Sequence, residues 1–100
     1  MLARVTAFKF RADARDAAIE TMEKLKPQIM ALPGLTHFIN VVDAEGNGYV
    51  MSLVEDEAQN EASTEQVSKL WAQFADYLEA KPEPRTFEVV ADWETAGAHA

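Results

Sequence analysis

Three of the four strand-like stretches in this chain are apolar on both parities, yet only two amphipathic helices are available to cover them. That mismatch limits the possible folds more than any other feature. Residues 35–43 (LTHFINVVD) place Leu35, His37, Ile39 and Val41 on one parity and Phe38 and Val42 on the other. Tyr49–Val54 places Tyr49, Met51 and Leu53 against Val50 and Val54, with Ser52 the only polar residue between. Arg85–Trp93 (RTFEVVADW) sets Phe87, Val89 and Trp93 against Val90. A sheet with one face in water alternates apolar and polar positions more cleanly.

The remaining elements follow from periodicity and punctuation. Residues 2–10 alternate as a first strand, with Ala3, Val5, Ala7 and Lys9 on one parity and Leu2, Arg4, Thr6, Phe8 and Phe10 on the other. Asp13 offers an N-cap, with Asp16 as an acidic first-turn residue, for a helix running to about Leu32. Ala14, Ala18, Met22, Leu25, Ile29 and Leu32 then fall in a stripe about 80° wide. Pro27 predicts a kink or a break within it, and Pro33-Gly34 ends it. Ala44–Gly48 is turn chemistry joining the second and third strands as a hairpin. Glu55–Ala62 reads as a loop or a short helical turn. Ser63 and Gln66 have capping-box spacing for a second helix, whose Val67, Leu70, Trp71, Phe74, Tyr77 and Leu78 span about 120°. Lys81-Pro82-Glu83-Pro84 stops it, Arg85–Trp93 is the fourth strand, and residues 96–100 form a tail expected to fray.

The resulting order, β-α-β-β-α-β, is that of a single ferredoxin-like α+β domain over residues 1–95, with an antiparallel sheet in the order 4-1-3-2. Two helices with one apolar stripe each cover one face of such a sheet. The other face then exposes a patch of the kind that marks an interaction site, and its simplest cover is the same face of a second copy. The small side chains of Ala3, Val5 and Ala7 predict that the helices pack on that parity. Arg4, Thr6 and Phe8 would then face the space between two sheets, and Phe8→Asp would split the dimer or aggregate the protein.

Composition narrows the function classes. Seventeen acidic against nine basic residues give a net charge of −8, which disfavours nucleic acid and anionic membrane as partners. The chain has no cysteine, so disulfides, thiolate metal sites and cysteine nucleophiles are excluded. No apolar run approaches the roughly 20 residues of a membrane span, and MLARVTAFKF lacks the pattern of a signal peptide. A soluble, cytoplasmic protein is expected.

The β-α-β-β-α-β order, the opening MLARV, the helix-ending ALPGL and the hairpin after it resemble the antibiotic biosynthesis monooxygenase-like family, within the dimeric α+β barrel superfamily. The resemblance spans nearly the whole chain. It implies a homodimer with sheets packed face to face and a pocket in each subunit between sheet and helices. It also implies a cofactor-independent monooxygenase or isomerase acting on a small apolar or aromatic molecule, with neither cofactor nor metal; the alternative is a non-catalytic dimer that binds a small ligand, or a stress-related protein whose pocket has collapsed. Members of the family commonly carry a Trp near the end of the third strand, where this chain has Val54-Glu55-Asp56. Haem-degrading members carry an Asn on the first strand and a His on the second helix. Here Thr6 and Ala7 stand at the first position and no His occurs between Glu65 and Ala80, which disfavours haem degradation. The Asn, Trp, Tyr and Arg set of the cofactor-free oxygenases is matched by type by Asn60, Trp71, Tyr77 and Arg85.

Three residues are the catalytic candidates. His37 is the one histidine inside the ordered pattern, and histidine is the side chain most suited to proton transfer. Arg4, if buried, needs an anion, from Glu88 on the neighbouring strand or from a ligand. Tyr77 carries a hydroxyl that needs a partner when buried. Candidate substrate contacts are Thr6, Phe8, Phe38, Asn40, Trp71 and Phe74. Against each stands a purely structural role: a strand-end histidine, an internal ion pair, aromatic side chains filling a core.

Overall fold

The computed structural model describes residues 1–95; the expected tail, 96–100, lies outside the described residues. The elements are β1 (Leu2–Lys9), α1 (Arg15–Met30), β2 (Leu35–Val42), β3 (Asn47–Val54), α2 (Glu57–Ala72) and β4 (Glu83–Glu88), with 3₁₀ turns at Ala12–Ala14 and Ala75–Tyr77. The strands form one sheet in the order β2-β3-β1-β4, every pairing antiparallel. This is the ferredoxin-like α+β arrangement expected from the element order.

Both helices pack on one face of the sheet, and the parity they choose corrects the expectation from side-chain size. Arg4, Thr6, Phe8 and Phe10 are buried, as are Val50, Ser52 and Val54 on β3. Phe8, Phe10, Val50, Phe74 and Ala18 form the centre of the core, with Met22, Leu25, Phe38 and Trp71 packed against it. The rings form a closed circuit: Phe8 to Phe10 at 4.6 Å, Phe10 to Phe74 at 6.1 Å, and Trp71 to both Phe8 and Phe74 at 5.9 Å. Burying two phenylalanines removes far more apolar area from water than burying three alanine- or valine-sized groups, so the aromatic parity takes the helices. Phe8 is therefore a core residue and does not face a partner sheet.

Ala3, Val5 and Ala7 instead lie on the open face, where the register aligns them with Leu53, Met51 and Tyr49 of β3. Ile39 and Val41 of β2 continue the rows opposite Met51 and Tyr49, and Phe87 of β4 lies opposite Ala3. Ile39, Val41, Tyr49, Met51 and Phe87 are all exposed. The apolar surplus is real, on the opposite parity from the one expected. A register shift between Leu35 and His37 puts Leu35 opposite Val54, on the helix side, so Leu35 and His37 do not share a face.

Helix boundaries moved for local reasons. Asp13 sits in the 3₁₀ turn and pairs with Arg11 at 3.6 Å, so it does not cap α1. The helix runs through Pro27 unbroken. Glu23 and Pro27 are both exposed, so water can serve the carbonyl that the missing N–H would have bonded. The second helix starts earlier than Ser63. Asp56 is its N-cap, accepting from the Gln59 N–H at 2.9 Å, and Ser63 is an interior residue only 1% exposed.

The fourth strand also differs, spanning Glu83–Glu88 instead of Arg85–Trp93. It lies at the sheet edge, where Pro84 is tolerated. It ends because β1, its sole partner, begins at Leu2 opposite Glu88, leaving one further bond from the Val89 N–H to the Met1 carbonyl at 3.0 Å. Val90 and Trp93 are both 91% exposed.

The β2–β3 hairpin is closed by Asp43. Its Oδ1 accepts the backbone N–H groups of Glu45 at 2.9 Å and Asn47 at 3.0 Å, and its carbonyl accepts that of Gly46 at 3.2 Å. Gly46 has φ +95°, and a Cβ there would lie 2.3 Å from the Phe10 carbonyl oxygen. Gly48 leaves room for the Phe8 ring, whose Cζ would lie 2.5 Å from an added Cβ. The hydrogen bond from the Asn47 N–H, aided by that of Glu45, holds the Asp43 carboxyl below its usual pKa, against a smaller opposing effect of desolvation. A depressed carboxyl pKa stabilises the fold above the unfolded value, and that stabilisation disappears as pH falls through the folded value. Asp43→Ala is therefore expected to lower the melting temperature at pH 7. The gap from the parent should shrink as pH drops below about 4, the ordinary aspartate range. A gap that is constant with pH would show that charge has no part in it.

Candidate functional site

The site grows from the side chains that β1 sends beneath α2. Arg4 lies opposite Ser52 of β3 and Thr86 of β4, and Thr6 lies opposite Val50 and Pro84. On α2, Asn60 and Ser63 are three residues apart and so share the helix face that meets Arg4. Arg4 Nη1 donates to Asn60 Oδ1 at 2.7 Å and to Ser63 Oγ at 3.3 Å. Ser63 Oγ donates in turn to the Asn60 carbonyl at 2.9 Å, which turns its lone pairs toward the arginine. Burial lowers the Arg4 pKa from its usual value, yet a guanidinium stays protonated in a protein.

Glu88 does not pair with Arg4. It lies opposite Leu2, while Thr86 takes the position beside Arg4. The ion pairs among the described residues use Arg11, Arg15, Lys24 and Lys69. Arg4 is thus a cation only 9% exposed, bonded among the described residues to neutral groups alone.

Two adjoining cavities meet at this residue. The inner one, about 60 Å³, lies between the sheet and both helices; the outer one is a cleft of about 370 Å³ between α2 and the β1–β4 edge. Arg4, Thr6, Val67 and Trp71 line both. Phe38, Asn40, Ser52 and Phe74 line the inner cavity, and Asn60, Lys81, Pro82, Pro84 and Thr86 line the outer cleft. Asn40 Nδ2 donates to the Met22 sulfur at 3.0 Å, while its Oδ1 is buried without a partner. Among the described residues no Asp, Glu or His lines either cavity, and no group of three or more such side chains is placed to hold a metal ion.

The candidates from the sequence divide accordingly. Arg4, Thr6 and Trp71 come together at the junction, with Phe38, Asn40 and Phe74 around the inner cavity. Phe8 packs against Trp71 but lines neither space. The Tyr77 hydroxyl lies 3.1 Å from Thr21 Oγ1, tying the turn after α2 to α1 outside both cavities. His37 is exposed, opposite Leu53 on the open face, with Nδ1 3.4 Å from Thr36 Oγ1. It is on the wrong side of the sheet to act with Arg4. Of the set matched by type, Asn60 and Trp71 line the groove, while Arg85 stacks on Phe87 on the open face, 5.1 Å from the ring centroid. Ser63 and Lys81 were not anticipated. A serine and an asparagine three apart inside a helix were the available signal for a buried polar partner, and the capping-box reading hid it.

No family model matches the chain, and no curated protein matches it. Solved structures do. A protein of unknown function from Nitrosomonas europaea superposes with a TM-score of 0.79 at 21% identity, covering 96% of this chain and 95% of its own. An antibiotic biosynthesis monooxygenase superposes at 0.73 and 16% identity, covering 91% and 100%. A MhuD variant with two manganese protoporphyrin IX molecules bound per active site superposes at 0.74 and 18%, covering 95% and 100%. No helix among the described residues is long and apolar enough to cross a membrane. At these identities the likeness is one of architecture, and on that ground this chain has the ferredoxin-like α+β fold shared by structures named antibiotic biosynthesis monooxygenases.

Proposed function

We propose that this chain is a homodimeric small-molecule enzyme, a cofactor-independent oxygenase whose apolar or aromatic substrate lies in the groove between α2 and the sheet. The observation that carries the reading is the convergence of Arg4, Thr6 and Asn60 on a groove walled by Val67, Trp71 and Pro84. Apolar walls bind a ring, and a fixed guanidinium steadies a developing oxyanion. The dimer would form through the open face, which keeps the groove accessible on the helix side. For a hydroxyarene the reaction balances without an added reductant: the substrate loses two hydrogens and gains one oxygen as it becomes a quinone, and the second oxygen leaves as water.

Among the described residues no side chain lining the groove serves as a base at neutral pH, which favours a second reading, a dimer that binds the same ligand without turning it over. Oxygen uptake separates the two. With 1-naphthol as probe, uptake above the buffer rate is expected, unchanged by a metal chelator and reduced at least tenfold by Arg4→Met. Binding detected by Trp71 fluorescence in a Trp93→Phe background, with no uptake across a panel of hydroxyarenes, would leave the binding reading in its place.

A further inference from the structure

We infer that the groove is selective for a flat, mainly apolar carboxylate, with its anionic group seated on Arg4 and its ring against Trp71. The inference rests on the proposed ligand groove and names the class of molecule it takes. Arg4 is nine-tenths buried, and both of its hydrogen bonds leave from Nη1, so Nε and Nη2 have no protein acceptor among the described residues. Asn60 and Ser63 are neutral and hold the guanidinium in place without cancelling its charge. A buried cation without a counter-ion carries a desolvation cost that a bound anion would offset.

The lining points the same way. The chain carries 17 acidic residues against nine basic ones, yet among the described residues the only charged side chains around the two cavities are Arg4 and Lys81. A positively lined groove on an otherwise acidic surface draws anions toward it. A planar guanidinium with two free donors matches the two oxygens of a carboxylate. Val67, Trp71, Pro82 and Pro84 supply apolar surface for the rest of the molecule. The outer cleft, about 370 Å³, is large enough for a two-ring ligand, whereas the inner cavity of about 60 Å³ is not.

The test compares 2-naphthoate with 2-naphthamide, a neutral molecule of nearly the same shape, by ligand-observed NMR titration of the full chain. The acid is expected to bind at least tenfold tighter. That preference should disappear in Arg4→Met, survive in part in Arg4→Lys, and fall two- to threefold in Lys81→Met. Circular dichroism of each variant reports whether it folds, and the preference in the unmodified protein stands as a test even if Arg4→Met does not. Equal binding of acid and amide, or a preference that persists in Arg4→Met, overturns the inference while leaving the groove as a ligand site. If neither compound binds, the groove reading falls with it.

Discussion

Phe8→Asp is expected to abolish the folded state. Phe8 is 7% exposed, and its ring is held between those of Phe10 and Trp71 in the closed aromatic circuit completed by Phe74. A carboxylate there would sit against the rings of Phe10 and Trp71, and burying it in apolar surroundings costs far more than a domain of this size has to spare. The milder Phe8→Ala removes the ring and leaves a void, at a cost of about 3–5 kcal/mol. Chemical denaturation should show the alanine protein with a sharply lower midpoint and the aspartate protein without a cooperative transition. An aspartate variant that keeps native circular dichroism and merely changes its oligomeric state would return Phe8 to the sheet surface and undo the assignment of faces.

The second large effect belongs to the open face. Met51 lies in its middle, flanked by Ile39 on β2 and Val5 on β1, and is 40% exposed in the single chain. If a second copy covers this surface, Met51→Asp brings like charges together across a two-fold axis, which costs several kcal/mol. Dimerisation should weaken by about 100-fold or more on that scale, and sedimentation should show a monomer where the parent runs as a dimer. The fold of the single chain should survive, since substitutions at exposed positions usually change stability by under about 0.5 kcal/mol. Two outcomes would remove the dimer from the proposal: a parent protein that sediments as a monomer at high concentration, or a Met51→Asp protein that dimerises as well as the parent. Phe8 and Met51 thus form a matched pair, one substitution aimed beneath the helices and the other at the surface they leave bare.

The order of elements, the antiparallel sheet and the excess of apolar surface over helical cover were all legible in the string of residues. Each is set by local periodicity: a period of two marks a strand, a period of 3.6 marks a helix, and Ala44 through Gly48 mark a turn. Periodicity also told that Arg4, Thr6, Phe8 and Phe10 share a face. It could not tell which face lies under the helices, because a strand apolar on both sides reads the same from either. That choice belongs to packing, where two phenylalanine rings outweigh three small side chains.

The site was legible in its parts and not in its assembly. Arg4, Thr6, Trp71, Phe38, Asn40 and Phe74 were recognisable as candidates by type and parity. That His37 lies across the sheet from Arg4 follows from the register of β2 against β3, including the slip between Leu35 and His37. The partners of Arg4 lie 56 and 59 residues away along the chain, at Asn60 and Ser63. Only the docking of α2 on β1 brings them within hydrogen-bonding distance. The residues themselves determined which faces exist; the tertiary structure decided which are joined, because packing across the sheet acts between groups whose separation in sequence carries no record of their contact.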